Sequence, residues 1–471
     1  MARMTRDLTD VRDLLNRRIA VHRADLDALV RIPSVSAPGF DTGEVRRAAE
    51  AVRALLAARG LEHARLLEVE GSHPAVYADW LHAGPGAPTV LLYAHHDVQP
   101  PGDAAGWTTP PFEPAERDGR LFGRGAADDK AGVMAHVAAV DAWLGARGHL
   151  PLNVKVIIEG EEETGSEHLP GLIDGYADLL RADVMVIADT VNWKVGVPAI
   201  TYLLRGLVDC EVELRALDHP LHSGAYGGPV PDPITGLVKL IAAATDEHGA
   251  VAIPGLREAR EPTPDERARL RALDFDVEVF RRDAGLLDGV QVTGDPDLHP
   301  LEKLWMRPNL TVIGLDAPPV AGSSNTIVPS ARARLSLRLA PGQDPQESLR
   351  LLCDWLRAHA PWGLHVEVTP GATAHPFLAD PEGPAFKAAA TALEAAYGHP
   401  VVYAGIGGTI PFIEPFATRF GGAPALLLGV EDPDSRAHGT DESLHLADWA
   451  RACLGEAYLF AELADALAAE G

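Results

Sequence analysis

The sequence predicts an α/β protein with a mostly parallel central sheet and a smaller domain inserted into the larger one. Four apolar runs indicate the sheet, because each has the length and the branched aliphatic content of a strand buried on both faces. A change to alternating strands in the middle of the chain indicates the second domain. The four apolar runs are residues 89–94, 153–158, 182–188 and 424–430.

The first part of the chain is predicted to be helical before the sheet begins. Residues 25–30 are amphipathic, and residues 44–59 carry apolar residues at helical spacing, with Gly60 as the C-cap. A strand at residues 75–80 precedes the first apolar run. The loop after that run, residues 99–114, is rich in proline, glycine and tryptophan. A loop of this length inside a compact domain is more often functional than idle.

The middle of the chain is predicted to form a ferredoxin-like domain with the element order βαββαβ. A polar insert, residues 247–307, separates its first helix from its second strand. The predicted elements are a strand at 200–214, a helix at 232–245, strands at 309–315 and 331–339, a helix at 344–358 and a strand at 363–369. The length of 471 residues also favours two domains. We expect residues 1–200 and 374–471 to form the larger domain and residues 201–373 the inserted one.

Composition argues against several classes of function. The net charge of −26 argues against nucleic acid and anionic membranes as partners. No apolar run is long enough to span a membrane. The first residues lack the apolar core of a secretory signal, so a cytoplasmic location is expected. The three cysteines, Cys210, Cys353 and Cys453, are widely spaced, which indicates neither a disulfide framework nor a thiolate metal site.

Residues that can bind metals follow each of the four predicted strands. His95 and Asp97 follow the first strand, glutamates 161–163 the second, Asp189 the third, and a loop with His438 the fourth. Because the carboxyl ends of parallel strands meet at one edge of a sheet, we expect these side chains to lie close together. Each of them alone has a plainer explanation, such as a solvated loop or a turn. Two histidines and several carboxylates together suit zinc or a similar divalent ion.

A glycine-rich loop, residues 121–132, opens a predicted helix and carries Asp128. Its Gly-x-Gly pair is superficially similar to a dinucleotide site. Asp128 occupies the position of the third glycine, however, and its carboxylate would repel a pyrophosphate, so we reject that interpretation. Alone, Asp128 is typical of a helix N-cap. The Walker A, Gly-x-Ser-x-Gly and His-Glu-x-x-His motifs are absent from the sequence.

Three motifs together resemble those of a known family. Residues 93–100 resemble its Gly-His-x-Asp-Val motif, residues 123–130 its bridging-aspartate motif and residues 162–166 its Glu-Glu-x-Gly-Ser motif. The family comprises di-zinc amidohydrolases and exopeptidases, among them carnosinase-like dipeptidases, aminoacylase, succinyl-diaminopimelate desuccinylase and glutamate carboxypeptidases. The resemblance covers nearly the whole chain, and residues 246–255 and 305–310 are similar to the carnosinase-like branch. It implies a zinc-exopeptidase-like larger domain and a lid domain through which two chains form a homodimer.

The resemblance implies two divalent metal ions bridged by Asp128. Zn²⁺ is the expected metal, with Mn²⁺ or Co²⁺ as alternatives. The remaining ligands that it implies are His95 and Asp189 for one ion and Glu163 and His438 for the other. It also implies a cis peptide bond between Asp128 and Asp129.

The same resemblance gives roles to two residues that are not metal ligands. Asp97 is expected to orient His95, and Glu162 is expected to be the general base. The neighbouring His96 and Glu161 are set aside, because they do not keep the family's spacing.

Five residues are implied to bind substrate. His222 resembles the family histidine that reaches the active site of the partner subunit. Arg338 stands where the family places an arginine that grips a substrate carboxylate, and its forked head group suits that task. Asn325 is a further, weaker match. Gly408 and Thr409 belong to a stretch, residues 407–411, that resembles the loop for the terminal carboxylate of the substrate.

The sequence therefore predicts a cytoplasmic two-metal hydrolase that cleaves peptide or amide bonds next to a free carboxylate. A dipeptidase is the first interpretation, and its substrate is a small peptide. The first alternative is an N-acyl-amino-acid deacylase that uses the same residues. The second alternative, from another class, is a binding or scaffold relative that has lost activity. The complete set of implied ligands and Glu162 argue against the second alternative.

Overall fold

The structure is a computed structural model that describes residues 6–408, 410 and 413–468. It divides into two compact units, each of which is described separately. The larger unit comprises Met1–Tyr202, Ala379–Ala404 and Pro411–Gly471, and the smaller unit comprises Leu203–Leu378 and Gly405–Ile410.

The elements up to the end of the first segment of the larger unit follow the predicted order of helices and apolar strands. They are α1 (Thr9–Val30), α2 (Thr42–Ala58), β1 (Glu62–Leu67), β2 (Ala75–Trp80), β3 (Thr89–His95), β4 (Ala115–Arg117), β5 (Arg120–Phe122), α3 (Lys130–Arg147), β6 (Asn153–Glu159), α4 (Leu169–Gly175), α5 (Ala177–Leu180), β7 (Val184–Val191) and β8 (Ala199–Leu204).

The elements of the next segment build the smaller unit. They are β9 (Gly206–Arg215), β10 (Leu221–His222), α6 (Ser223–Tyr226), α7 (Pro233–Ala243), α8 (Pro264–Ala272), α9 (Val277–Asp283), α10 (Pro300–Met306), β11 (Asn309–Asp316), β12 (Thr326–Ile327), β13 (Ser330–Leu339), α11 (Pro345–Ala358), β14 (His365–Ala374) and β15 (Phe377–Leu378). The last elements of the chain are α12 (Pro384–Tyr397), β16 (Val402–Ile406), α13 (Ile413–Arg419), β17 (Ala425–Glu431), β18 (Ser443–His445) and α14 (Leu446–Ala468).

The four apolar runs become the parallel centre of the large sheet. Its strand order begins β1-β2-β6-β3-β7-β17-β8, and the four strands β6, β3, β7 and β17 pair with one another in parallel. The other strands named here, β1, β2 and β8, pair antiparallel. Nearly every residue of the four parallel strands is buried, which explains why their sequences are continuous apolar runs. The predicted fold class is confirmed.

The smaller unit contains an antiparallel sheet with the strand order β11-β13-β9-β14. The helices α7 and α11 pack against this sheet, and alternate residues of β9 and β13 point into the shared core. The order β9-α7-β11-β13-α11-β14 is the predicted βαββαβ pattern. The polar insert contributes α8, α9 and α10.

One predicted strand is two strands in the structure. We expected a single strand at residues 200–214, but the chain breaks between Leu204 and Gly206, so that β8 pairs with β17 and β9 pairs with β13. A Cβ atom at Gly206 would lie 2.7 Å from the carbonyl oxygen of Ala374, so only glycine permits this close approach. An alternating sequence does not reveal such a break, because the strand pattern continues on both sides.

Within the described part of the chain, none of the helices has the length and apolar character that crossing a membrane requires.

Candidate functional site

The carboxyl ends of the parallel strands bring the first group of site residues together. His95 is the last residue of β3, and Asp189 lies near the end of the adjacent strand β7. The Nε2 atom of His95 is 3.8 Å from an oxygen of Asp189 and 3.0 Å from Oδ1 of Asp128. Three side chains from separate segments thus present one histidine nitrogen and two carboxylates to one point.

Asp128 also belongs to a second group of side chains that could hold a metal ion. Its other oxygen, Oδ2, is 2.9 Å from Nε2 of His438, and the same nitrogen is 3.2 Å from Oε2 of Glu163. The two oxygens of Asp128 therefore face two different histidines. Gln99 donates hydrogen bonds from its backbone N–H and its side-chain amide to the Glu163 carboxylate, and these bonds fix the position of that carboxylate.

The loop before α3 places a different residue at the helix N-cap from the one that the sequence pattern alone suggests. The N-cap of α3 is Asp129 and not Asp128, and the Asp129 carboxylate accepts a hydrogen bond from Gly132 N–H. The other oxygen of Asp129 accepts a hydrogen bond from His95 N–H. The Asp128–Asp129 peptide bond is cis, as the family resemblance implies. Because Asp129 caps the helix, the side chain of Asp128 is left to face the two histidines.

Asp97 contacts His95 through two different groups. The Nδ1 atom of His95 is 3.0 Å from the Asp97 carbonyl oxygen and 3.4 Å from its carboxylate. Both groups only accept hydrogen bonds, so Nδ1 carries the proton and the lone pair of Nε2 is free to bind a metal. The Asp97 carboxylate also accepts hydrogen bonds from Ser36 Oγ and from the backbone N–H groups of Glu162 and Glu163.

Glu162 lies beside both groups of ligands without belonging to either. Its Oε2 atom is 4.0 Å from Nε2 of His95. Burial and the nearby charges of Glu163 and Asp128 raise the pKa of Glu162 to about 8, against the opposing effect of His95. Burial and the neighbouring carboxylates thus disfavour the charged form of Glu162.

The charge distribution suits bound cations. Burial, with Asp129 and Asp128 nearby, raises the pKa of Asp189 well above its ordinary value. Hydrogen bonds to Asp128 and Glu163 raise the pKa of His438 to about 11. A bound cation would offset the repulsion among these closely spaced carboxylates. The donors, two histidine nitrogens and three carboxylates, are those that zinc and similar ions bind.

The smaller unit brings His222 and Asn325 together. His222 ends β10 and pairs with Thr326 of β12, while Ser223 N–H donates a hydrogen bond to the carbonyl oxygen of Asn325. The exposed imidazole of His222 accepts a hydrogen bond at Nδ1 from Gly224 N–H. Its neutral ring therefore carries a proton on Nε2, which makes Nε2 a hydrogen-bond donor.

Arg338 has an arginine neighbour that the sequence did not single out. Arg338 lies on β13 opposite Asn309 of β11, and burial lowers its pKa. Arg205 is buried, and burial together with the charge of Arg338 lowers the pKa of Arg205 to about 10. Its Nη1 atom donates a hydrogen bond of 2.9 Å to Oδ1 of Asn309. Arg205 and Asn309 also line a cavity of about 650 Å³ within this unit.

The predicted carboxylate loop approaches Arg205. A Cβ atom at Gly407 would lie 2.8 Å from Nη2 of Arg205, so the absent side chain makes room for the guanidinium. Gly408 follows Gly407 in this stretch and belongs to the smaller unit. Thr409 lies outside the described residues.

The sequence is similar to those of known peptidases. Residues 91–459 match the model of peptidase family M20/M25/M40. A cysteinylglycine-S-conjugate dipeptidase from Corynebacterium striatum is 39% identical over 373 residues, which are 79% of this chain and 80% of the relative. The chain belongs to peptidase family M20/M25/M40. Because this is a family of peptidases, the protein is a hydrolase, and the predicted family and enzyme class are confirmed.

Solved structures of M20-family proteins share the fold. Human carnosine dipeptidase 1 superimposes with a TM-score of 0.82 at 27% identity, covering 98% of this chain and 100% of that structure. An M20 family metallo-carboxypeptidase from Sulfolobus solfataricus superimposes with a TM-score of 0.81 at 28% identity, covering 94% of this chain and 99% of that structure. These two structures share the fold over nearly the whole length of this M20 chain.

Several residues of this M20 chain contact or lie beside predicted site residues, although the sequence analysis did not single them out. Gln99 and Arg124 lie inside two of the quoted motifs, and Glu442 lies four residues after His438, so their proximity to predicted ligands was the available signal. Ser36 and Arg205 are far along the chain from the ligands, and no motif marked them.

Proposed function

We propose that the chain is a two-metal dipeptidase, which hydrolyses the peptide bond of dipeptides or short peptides that bear a free carboxylate. The observation that carries this proposal is the position of Asp128. Its two oxygens face two separate histidines, each with a further carboxylate beside it, while Glu162 stays outside both groups. This is the arrangement that a pair of ions and a separate proton acceptor require.

The proposed ligands of the two ions follow the two groups of donors. His95, Asp128 and Asp189 would hold one ion, and Asp128, Glu163 and His438 the other, with Zn²⁺ as the expected metal. When bound, two such ions lower the pKa of a water molecule and polarise a carbonyl group. Asp97 keeps His95 in the tautomer that binds metal and orients the backbone of both glutamates.

Glu162 is the proposed general base. Its carboxylate takes a proton from the attacking water and later delivers that proton to the leaving amine. Its raised pKa, about 8 without a cation, indicates how strongly burial and neighbouring carboxylates favour the protonated form. Bound cations in the two groups would lower the pKa of Glu162. The carboxylate would then be ionised at neutral pH and able to accept a proton.

The smaller unit is proposed to hold the carboxylate of the substrate. Arg338 presents a forked head group that suits a carboxylate, and Arg205 adds a second positive charge close to it. Two arginines whose pKa values are lowered by burial gain stability when an anion binds beside them. Asn325 and Gly408 are proposed as further contacts to the substrate.

We also propose that two chains form a homodimer through the smaller unit. The strand β11 is an edge of its sheet and exposes Val312, Ile313 and Leu315 to solvent, with Ile313 56% exposed. An exposed apolar edge strand readily pairs with another chain. A second copy that pairs along β11 would cover these side chains.

A substrate panel tests the dipeptidase proposal against the deacylase alternative. The purified, metal-loaded protein is given cysteinylglycine, carnosine, N-acetyl amino acids and N-carbamoyl amino acids, and released amine is measured. We expect one or more unblocked dipeptides to be cleaved with a kcat/KM at least about tenfold above every N-acyl compound. The reverse ranking would make the chain a deacylase, and no cleavage at all would favour the scaffold alternative.

A further inference from the structure

A buried ion pair joins the two loops that carry Asp128 and His438. Arg124 lies four residues before Asp128, and Glu442 lies four residues after His438. The Nη1 atom of Arg124 is 2.6 Å from Oε2 of Glu442, and the side chains are only 1% and 0% exposed. A fully buried ion pair is costly unless its remaining hydrogen-bonding groups are satisfied, so its other partners indicate what it does.

The partners of Glu442 are backbone groups of the loop that leads to Asp128. Oε2 accepts a hydrogen bond from Gly125 N–H, while Oε1 accepts hydrogen bonds from Ala127 N–H at 2.9 Å and from Asp128 N–H at 3.1 Å. Three backbone donors on one carboxylate fix the path of this loop. Glu442 therefore determines where the backbone of Asp128 lies.

The partners of Arg124 are backbone groups of the loop that carries His438. Its Nη2 atom donates hydrogen bonds to the carbonyl oxygens of His438 and Gly439, both at 3.1 Å, and to that of Pro100 at 3.3 Å. His438 has a φ angle of +63°, which a residue with a side chain rarely adopts without support. The Arg124 guanidinium supplies that support at the carbonyl group of His438 itself.

We propose that Arg124 and Glu442 are positioning residues, which set the separation of Asp128 and His438 and thereby the metal affinity of the group Asp128–Glu163–His438. This inference rests on the proposed two-metal function. The pair holds two of the three ligands of that group. It holds only Asp128 of the other group, because His95 and Asp189 are fixed by β3 and β7. Loss of the pair should therefore weaken metal binding by Asp128–Glu163–His438 more than metal binding by His95–Asp128–Asp189.

The test measures Zn²⁺ affinity in the full-length wild-type chain and in two single variants, Glu442→Gln and Arg124→Lys. Glutamine cannot pair with Arg124 as a charged acceptor, and lysine lacks the fork that reaches Glu442 and the His438 carbonyl group together. Isothermal titration and metal analysis at buffered free Zn²⁺ should show the ion of the group Asp128–Glu163–His438 bound about 10–100-fold less tightly. The other ion should change by a smaller factor, and saturating Zn²⁺ should restore most of kcat.

A matched control separates positioning from general stability. Asp141 is a buried carboxylate of the same unit that contacts Arg18 at 2.6 Å and His22 at 3.3 Å. Asp141→Asn should lower Tm while leaving both Zn²⁺ affinities unchanged. His438→Ala shows which ion is affected, because this variant removes a proposed ligand of one ion only. The ion that His438→Ala still binds should be the ion that Glu442→Gln binds with little change in affinity.

The outcomes distinguish this inference from the proposed function. A wild-type chain that binds fewer than two ions would overturn the proposed function. A wild-type chain with two ions, together with variants whose affinities are unchanged or fall equally at both groups, would overturn the positioning role alone. If Glu442→Gln does not fold, the comparison is made with Arg124→Lys, which retains the positive charge. If neither folds, the pair serves global stability and the positioning role is rejected.

Discussion

Replacing Glu162 by glutamine is expected to lower kcat by about 10²–10⁴-fold while two metal ions per chain remain bound. Glu162 is outside both groups of ligands, so its loss should spare metal binding. Glutamine keeps the size of the side chain but neither takes a proton from water nor delivers one to the leaving amine. The measurement combines steady-state kinetics on the best dipeptide with metal analysis of the same sample.

Glu163→Gln is the matched control for this variant, because it makes the same chemical change one residue away. Glu163 lies 3.2 Å from His438 within a ligand group, so its variant should lose affinity for one ion. Added metal should then recover part of its activity, whereas no metal concentration should rescue Glu162→Gln. Equal metal loss in both variants would show that we have assigned the two glutamates incorrectly.

His222→Ala is expected to lower the rate by about 10²–10³-fold, if the imidazole stabilises the oxyanion that forms at the substrate carbonyl. The Nδ1 atom of His222 accepts a hydrogen bond from Gly224 N–H, so its Nε2–H is available as a donor. Replacement by alanine should lower kcat with little change in metal content. His222→Gln, which keeps an amide donor, should lose less activity than His222→Ala.

The proposed dimer makes this role testable by complementation. If each His222 serves the site of its partner, Glu162→Gln and His222→Ala chains are each nearly inactive alone. In a mixed dimer, the subunit with His222→Ala keeps its own Glu162 and receives an intact His222 from its partner. Mixed dimers should therefore recover up to about half of the wild-type activity. Verified mixed dimers without recovery would exclude a role for His222 in the partner's site.

The parallel sheet and the ligand groups were predictable because their signals are local. Each central strand is a continuous apolar run that stops at or near a His, Asp or Glu residue, and the edge rule for parallel strands then brings those residues together. His95, Asp128 and Asp189 lie within reach of one another in the structure. Glu163 and His438 join Asp128 in the other group.

Features that depend on distant contacts were not predictable. Arg124 and Glu442 are 318 residues apart. The sequence around each of them is typical of an ordinary charged loop residue. The break between β8 and β9 depends on Gly206 approaching the Ala374 carbonyl group, which no local pattern shows. The tautomer of His95 depends mainly on a backbone carbonyl oxygen, and any residue at position 97 would supply such an oxygen.

Metal removal tests the central claim most directly. The protein is treated with a chelator, dialysed into metal-free buffer and analysed for metal, and hydrolysis of its best dipeptide is measured before and after Zn²⁺, Mn²⁺ or Co²⁺ is returned. Our account predicts that hydrolysis falls to background in the metal-free protein and returns as about two ions per chain are bound. Full activity in a sample shown to be metal-free would contradict it.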